Sequence, residues 1–189
     1  MQDGLMHDAL RLRPAQPSDA DVAAVLLYSA YTHEQVAYPL EDQETGWIER
    51  LRQLFRREGN RFSYQNIQVA DHDAEVVGLV LSFGGRDEPR LNAAVGPWLE
   101  HEANDDEWYI DALAVLKNWG RQGIGTRLLR AAERQARQQQ YRNVALHVAP
   151  TNQPALDLYT HLGYVVTGQA TLYQRPYLHM VKALQNPET

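Results

Sequence analysis

Apolar and polar positions recur along this chain with two periods, and the switches between them divide it into strands and helices. Ala9 to Pro14 reads as a short first strand. Ser18 is placed to cap a helix, with Asp19 and Asp21 in its first turn. Val22, Val25, Leu26 and Tyr28 form the stripe expected to face inward. From about Gln43 to Arg57, Trp47, Ile48, Leu51, Leu54 and Phe55 keep helical spacing until Gly59-Asn60 stops it. Tyr64 to Asp71 and Glu75 to Phe83 are β-rich runs joined by His72-Asp73-Ala74, which predicts a hairpin.

Arg86 to Glu107 follows as a polar, acidic connection, with a short helix expected around Leu91 to Glu102. Trp108 to Val115 is the most strand-like stretch of the chain, and alternation places Glu107, Tyr109, Asp111 and Leu113 on one face. Gln122 to Gln139 is helical, with Ile124, Leu128, Leu129, Ala132 and Ala136 on one side. Asn143 to Val148 reads as a strand and Asn152 to Leu162 as a helix; Tyr164 to Gly168 and Tyr177 to Leu184 read as two last strands. This order describes an α/β domain with a mixed sheet and helices on both faces. Neither a repeat nor a linker divides it, so residues 1–189 are expected to form a single domain, with 1–8 disordered.

Composition narrows the chemistry. There is no cysteine, so disulfides and thiolate catalysis are excluded. A start without a basic and apolar leader, and the lack of an apolar run of ~20 residues, lead to a cytoplasmic expectation without membrane contact. The formal net charge of −6 argues against nucleic-acid binding. Yet Lys117 to Arg142 holds seven basic residues against the single acid Glu133, a polarity that suits a polyphosphate ligand or a solvated helix face.

The segment Trp119-Gly120-Arg121-Gln122-Gly123-Ile124-Gly125-Thr126 joins a strand to a helix. Its glycines permit a sharp turn and close approach of a ligand, and the free amides at the helix start attract an anion. A Walker loop would need Lys-Ser/Thr after Gly125, where Thr126-Arg127 stand. A dinucleotide fingerprint would need glycine or alanine at Leu128. A plain tight turn is the alternative that remains.

Tyr109-Ile110-Asp111-Ala112-Leu113-Ala114-Val115 followed by Arg121-Gln122-Gly123-Ile124-Gly125 closely resembles the central motif of the GNAT acetyltransferases, Gln/Arg-x-x-Gly-x-Gly/Ala after an apolar strand. Asn152-Gln153-Pro154-Ala155-Leu156-Asp157-Leu158-Tyr159 with Leu162-Gly163-Tyr164 resembles the family's second signature, and Tyr177 to Lys182 its last strand. The first motif position is Gly120 instead of Gln or Arg, which removes a side-chain contact but no main-chain amide.

The resemblance implies a mostly antiparallel central sheet of about seven strands, with acetyl-CoA as co-substrate. It places the pyrophosphate on Arg121, Gln122, Gly123, Ile124, Gly125 and Thr126. Pantetheine would lie along Leu113, Ala114 and Val115, with the Leu113 amide as oxyanion donor, and Asn152, Ala155 and Tyr159 would complete the cofactor side. Tyr159 is the candidate general acid, since a phenol of pKa near 10 is protonated at neutral pH; an interfacial tyrosine is the alternative. Asp111 is the candidate base or amine-orienting carboxylate, the alternative being a partner for a neighbouring arginine. Glu107 or Tyr109 is a possible proton relay.

The partners implied are acetyl-CoA, a primary amine and a second copy in a homodimer. The stretch from Gly85 to Glu107 holds seven acids and two arginines, which favours a small cationic amine; a peptide N-terminus, a lysine or a silent CoA sensor are the alternatives. His147, His161 and His179 lack metal-ligand spacing, so no metal is expected.

Overall fold

The computed structural model describes residues 10–33 and 44–185. The expectations for residues 1–8, for a strand beginning at Ala9 and for a helix beginning at Gln43 fall partly or wholly outside them. The elements are β1 (Arg11–Pro14), α1 (Ala20–His33), α2 (Glu44–Arg56), β2 (Ile67–His72), β3 (Glu75–Gly84), α3 (Glu88–Ala93), β4 (Glu107–Val115), α4 (Ile124–Gln138), β5 (Asn143–Val148), α5 (Gln153–His161), β6 (Val165–Leu172) and β7 (Arg175–Ala183). They build a seven-stranded sheet in the order β1-β2-β3-β4-β5-β7-β6. Every neighbouring pair is antiparallel except β4 with β5, which is parallel. This is the mixed, mostly antiparallel α/β sheet expected from the sequence.

The core has two main layers. Leu26 and Leu27 of α1 and Leu51, Leu54 and Phe55 of α2 pack with Val69, Leu79 and Leu81 on one face. Leu128, Leu129 and Ala132 of α4 pack with Val77, Val80, Trp108, Ile110, Val144 and Met180 on the other. β3 serves both layers, with Leu79 and Leu81 in one and Val77 and Val80 in the other; Val77 is the extra residue where the register with β2 shifts between Ala70 and Asp71, which resets the alternation there.

Several local expectations are corrected. The first helix is entered through a 3₁₀ turn, Pro17–Asp19, capped at Gln16 rather than Ser18; Asp19 accepts from the Gln16 amide at 2.7 Å and pairs with Arg13. The buried face of α1 is Ala20, Ala23, Ala24, Leu26, Leu27 and Tyr31, so Leu26 points inward as expected, whereas Val22 and Val25 are 38% and 45% exposed. Small alanines let the helix lie close to the sheet, so the larger valines do not mark the inner face. The helix in the acidic connection covers only Glu88–Ala93, and β6 runs on to Leu172.

The largest correction is in β4. Leu81 pairs with Ala112 and Ser82 with Ile110, so Asp111 is the extra residue of a β-bulge. The bulge resets the alternation. Trp108 and Ile110 face α4, and so do Leu113 and Val115, while Ala112 and Ala114 face α1. Tyr109 and Leu113 therefore do not share a face.

Both hairpin turns use non-glycine residues with left-handed backbones: Asp73 and Ala74 between β2 and β3, Tyr173 and Gln174 between β6 and β7. Left-handed φ costs a Cβ-bearing residue about 1–2 kcal/mol. Ala74, at φ 65°, has no side-chain hydrogen bond to offset this cost. Ala74→Gly is expected to stabilise the protein by about 0.5–1 kcal/mol, raising Tm by about 1–4 °C in a thermal melt.

Candidate active site

The parallel pair β4–β5 holds register only from Glu107 with Asn143 to Ile110 with Leu146. Beyond Ile110 the two strands part, and a cleft of about 330 Å³ opens between them. Asp111, Leu113, Ala114 and Val115 line it from β4, and Asn152, Ala155 and Tyr159 from α5 and its cap. These are candidates drawn from two separate motifs, now on opposite walls of one opening. Tyr31 of α1 and His147 of β5 also line it.

The remaining candidates, Arg121, Gln122, Gly123, Ile124, Gly125 and Thr126, do not line the cleft but adjoin it. Gly125 sits where an added Cβ would touch Leu113 at 3.7 Å and Leu158 at 3.9 Å, between the two walls. Gly123 caps α4 with φ 74°, a left-handed backbone suited to glycine. The first amide to bond within the turn is that of Arg127, to the Gly123 carbonyl at 3.0 Å. The amides of Ile124, Gly125 and Thr126 therefore precede the helical ladder, and no acid occupies this first turn. Such a terminus favours an anion. Asn152 caps α5, its side chain accepting from the Ala155 amide at 3.3 Å. The Tyr159 ring packs edge-on to Tyr164 at 5.9 Å.

Behind Asp111 lies a buried polar cluster that crosses the whole α1 side of the cleft. Arg61, only 2% exposed, donates through Nε to Asp111 Oδ2 at 2.9 Å and through Nη2 to Oδ1 at 2.5 Å. It also donates to Glu102 at 2.7 Å, to Glu88 at 3.3 Å and to Asn92 at 3.2 Å. Tyr31 donates to Asp111 Oδ2 at 2.8 Å. Burial pulls the Arg61 guanidinium down, but Asp111 and Glu102 outweigh it and hold it well above its usual range. Three carboxylates face one guanidinium. Burial pushes the Glu102 carboxyl up; Arg61 opposes this and Asp111 reinforces it.

The Tyr109 hydroxyl donates to Glu102 Oε2 at 2.8 Å and lies 3.1 Å from His147 Nδ1. A hydroxyl has one proton, and here the carboxylate takes it. The contact to His147 is then made by a proton on Nδ1, which leaves Nε2 with its lone pair. Burial and the neighbouring His179 push the His147 imidazole down to about 4, against a smaller opposing pull from Glu107. The ring is neutral at neutral pH. Glu107 itself is turned to His179, whose Nε2 lies 3.2 Å from its carboxylate, so it stands apart from Tyr109.

Arg61, Tyr31, Glu102 and His147 were not singled out as site residues by sequence. His147 left a trace: like Asp111, it interrupts an apolar strand with one polar side chain. Arg61 left none, since its partners lie 27 to 50 residues away. Among the described residues, no group of three or more His, Cys, Asp or Glu could hold a metal ion, and no helix is long and apolar enough to cross a membrane.

A mixed sheet parted between parallel strands, with a glycine turn and helix start beside the gap, is the architecture of acyl-CoA N-acyltransferases. The chain belongs to the acetyltransferase (GNAT) family, whose profile matches residues 27–164. An N-acetyltransferase from Staphylococcus aureus Mu50 has the same fold with a TM-score of 0.79 and 25% identity, covering 91% of this chain and 100% of that one. The catalytic subunit NAA10 of the N-terminal acetyltransferase A complex of Arabidopsis thaliana is 32% identical over 106 residues, 54% of this chain and 47% of that protein. An N-alpha-acetyltransferase of Sulfurisphaera tokodaii is 33% identical over 98 residues, 51% of this chain and 54% of that protein. The chain thus spans about half the length of the curated relatives it matches.

Removing the central cation should be costly. Arg61→Met leaves Asp111, Glu88 and Glu102 buried without their partner, and a loss of about 3–5 kcal/mol is expected in denaturant unfolding.

Proposed function

We propose that this chain is an N-acetyltransferase that moves an acetyl group from acetyl-CoA to the α-amino group of a polypeptide, by direct attack through a tetrahedral intermediate. The observation that carries this reading is the cleft itself: it meets the amide-rich start of α4 at one side and a neutral histidine at the other. The amides of Arg121 to Thr126 would hold the pyrophosphate, and the exposed edge of Leu113 to Val115 would align pantetheine. The Leu113 amide would stabilise the oxyanion. Tyr159 would return a proton to the departing thiolate.

On the acceptor side, His147 Nε2 would take the ammonium proton. The engagement of both Asp111 oxygens by Arg61 and Tyr31 favours an orienting carboxylate over a base. The depressed His147 pKa favours an amine that loses its proton readily. An α-ammonium titrates near 8 and a lysine ammonium near 10.4, a difference of about 3 kcal/mol in proton affinity. The N-terminal specificity in the names of the Arabidopsis and Sulfurisphaera relatives supports the same acceptor. A second reading, a small cationic amine, is favoured by the surplus of buried carboxylates around Arg61.

Thiol release from acetyl-CoA with peptides beginning in Ala, Ser or Met, with spermidine, with free amino acids and with aminoglycosides separates these acceptors. Peptides are expected to be fastest; spermidine in first place selects the second reading. Thioester cleavage independent of any amine rules out a transferase.

Gly123→Glu puts a carboxylate and a strained backbone at the phosphate cradle. CoA affinity by calorimetry is expected to fall at least about 100-fold, with the melt little changed above the cost of the left-handed residue. Tyr159→Phe keeps the ring against Tyr164 and removes the proton. A fall in kcat of about 10²–10⁴-fold with unchanged acetyl-CoA KM is expected in steady-state kinetics.

A further inference from the structure

His147 can receive a proton but is poorly suited to keep one. Its ring is half-buried beside His179, and an imidazolium there is disfavoured. A proton taken at Nε2 must therefore move on, and the structure offers one route. Nδ1 of the same ring contacts the Tyr109 hydroxyl at 3.1 Å, and that hydroxyl donates to Glu102 Oε2 at 2.8 Å.

We propose that Glu102 is the terminus of a proton relay, receiving through Tyr109 the proton that His147 removes from the acceptor amine. This rests on the acyl-transfer reading above. The step balances without another reactant. The ammonium N–H bond breaks and Nε2–H forms; Nδ1–H passes to the Tyr109 oxygen, and the Tyr109 proton passes to Oε2. Tyr109 ends neutral, His147 ends neutral in its other tautomer, and the charge lost by the ammonium reappears as one carboxylate neutralised. Glu102 touches no reacting atom and acts only through Tyr109.

The surroundings of Glu102 suit a group that accepts a proton in turnover. Arg61 and Tyr173 donate to Oε1, each at 2.7 Å, so the carboxylate is held while Oε2 accepts from Tyr109. Asp111 of β4 and Glu88 of α3 share the same guanidinium, and Glu88 also accepts from the Glu102 amide at 2.9 Å. Exposed His101 lies against Glu88, and the Glu100 amide donates to Tyr173. With three carboxylates around Arg61, adding a proton relieves repulsion instead of creating an unpaired charge. Burial raises the proton affinity of Glu102 above that of an exposed carboxylate and Asp111 reinforces this, against the opposing pull of Arg61 and of the Tyr173 and Tyr109 hydroxyls.

The fold delivers this one residue with care. Glu102 lies in an irregular stretch pinned to Glu88 by the amides of Glu102 and Ala103. That stretch crosses Gly85 so closely that a Cβ there would stand 1.9 Å from the Asn104 carbonyl oxygen. The tip of the β6–β7 hairpin brings Tyr173 down on the same carboxylate from the other side.

The test uses the full chain, acetyl-CoA and a peptide beginning in Ser, and reads kcat against pH. Glu102→Gln retains an acceptor for Arg61 but cannot store the proton. A fall in kcat of about 100-fold is expected, with acetyl-CoA KM unchanged and the acid limb displaced from its wild-type position. Tyr109→Phe should match it, and the double variant should lose no more than either single one, because the members act as one unit. Tyr173→Phe guards against a folding failure of Glu102→Gln. It removes a hydrogen bond that favours the carboxylate, so the acid limb should move to higher pH. A structural role for Glu102 would lower Tm and leave the limb in place. An acid limb unmoved in Tyr173→Phe, or unmoved in Glu102→Gln in an amine-dependent enzyme, overturns this inference alone. Amine-independent cleavage by the wild-type protein overturns the transferase reading and the relay together.

Discussion

Arg61 is the residue on which the α1 side of the cleft depends. Its guanidinium is buried, and it binds carboxylates delivered by three segments: Glu88 from α3, Glu102 from the irregular stretch that follows, and Asp111 from β4. A buried cation without partners would cost several kcal/mol. Each of those segments is therefore constrained to present its acid at one point. The loop from Gly85 to Glu107 has little regular structure of its own, yet this demand and the Glu88 contacts to its amides give it a defined path.

The bulge at Asp111 is the backbone counterpart of the same constraint. An unbroken β4 would keep Asp111 and Leu113 on one face. The extra residue instead sends Asp111 toward Arg61 and Tyr31 on the α1 side while Leu113 packs toward α4 and α5. Under the proposed function one strand would serve two ends of the reaction, with polar groups for the amine on one face and an apolar wall for the acyl donor on the other. The break in β4–β5 pairing beyond Ile110 opens the space between them.

Electrostatics divides the cleft in the same way. The start of α4 is free of acids and offers unsaturated amides to a phosphate. The α1 side holds three carboxylates around Arg61 and a neutral His147, which under the proposed function would suit a positively charged amine that gives up a proton. The net charge of −6 and the basic stretch from Lys117 to Arg142 are the crude reflection of this polarity in composition.

Local chemistry carried much of the fold into the sequence. β-rich runs marked β2 to β5, helical spacing marked α2, α4 and α5, and the glycines at 120, 123 and 125 marked the turn before α4, because each depends on residues close in the chain. The two motifs bearing Gly123, Gly125, Asn152 and Tyr159 were legible for the same reason. The inner face of α1 was legible at Leu26 but not at Ala20, Ala23 and Ala24, since alanines that allow close approach carry a weak apolar signal. The acceptor side was hidden more deeply. Arg61 finds Asp111 across 50 residues, and Glu102 meets Tyr173 across 71. A charged residue in isolation gives no sign of which distant charge will bury it. Only the folded sheet, with its bulge and its parted strands, decides that pairing, because desolvation makes a buried charge acceptable only where its partners have already been brought together.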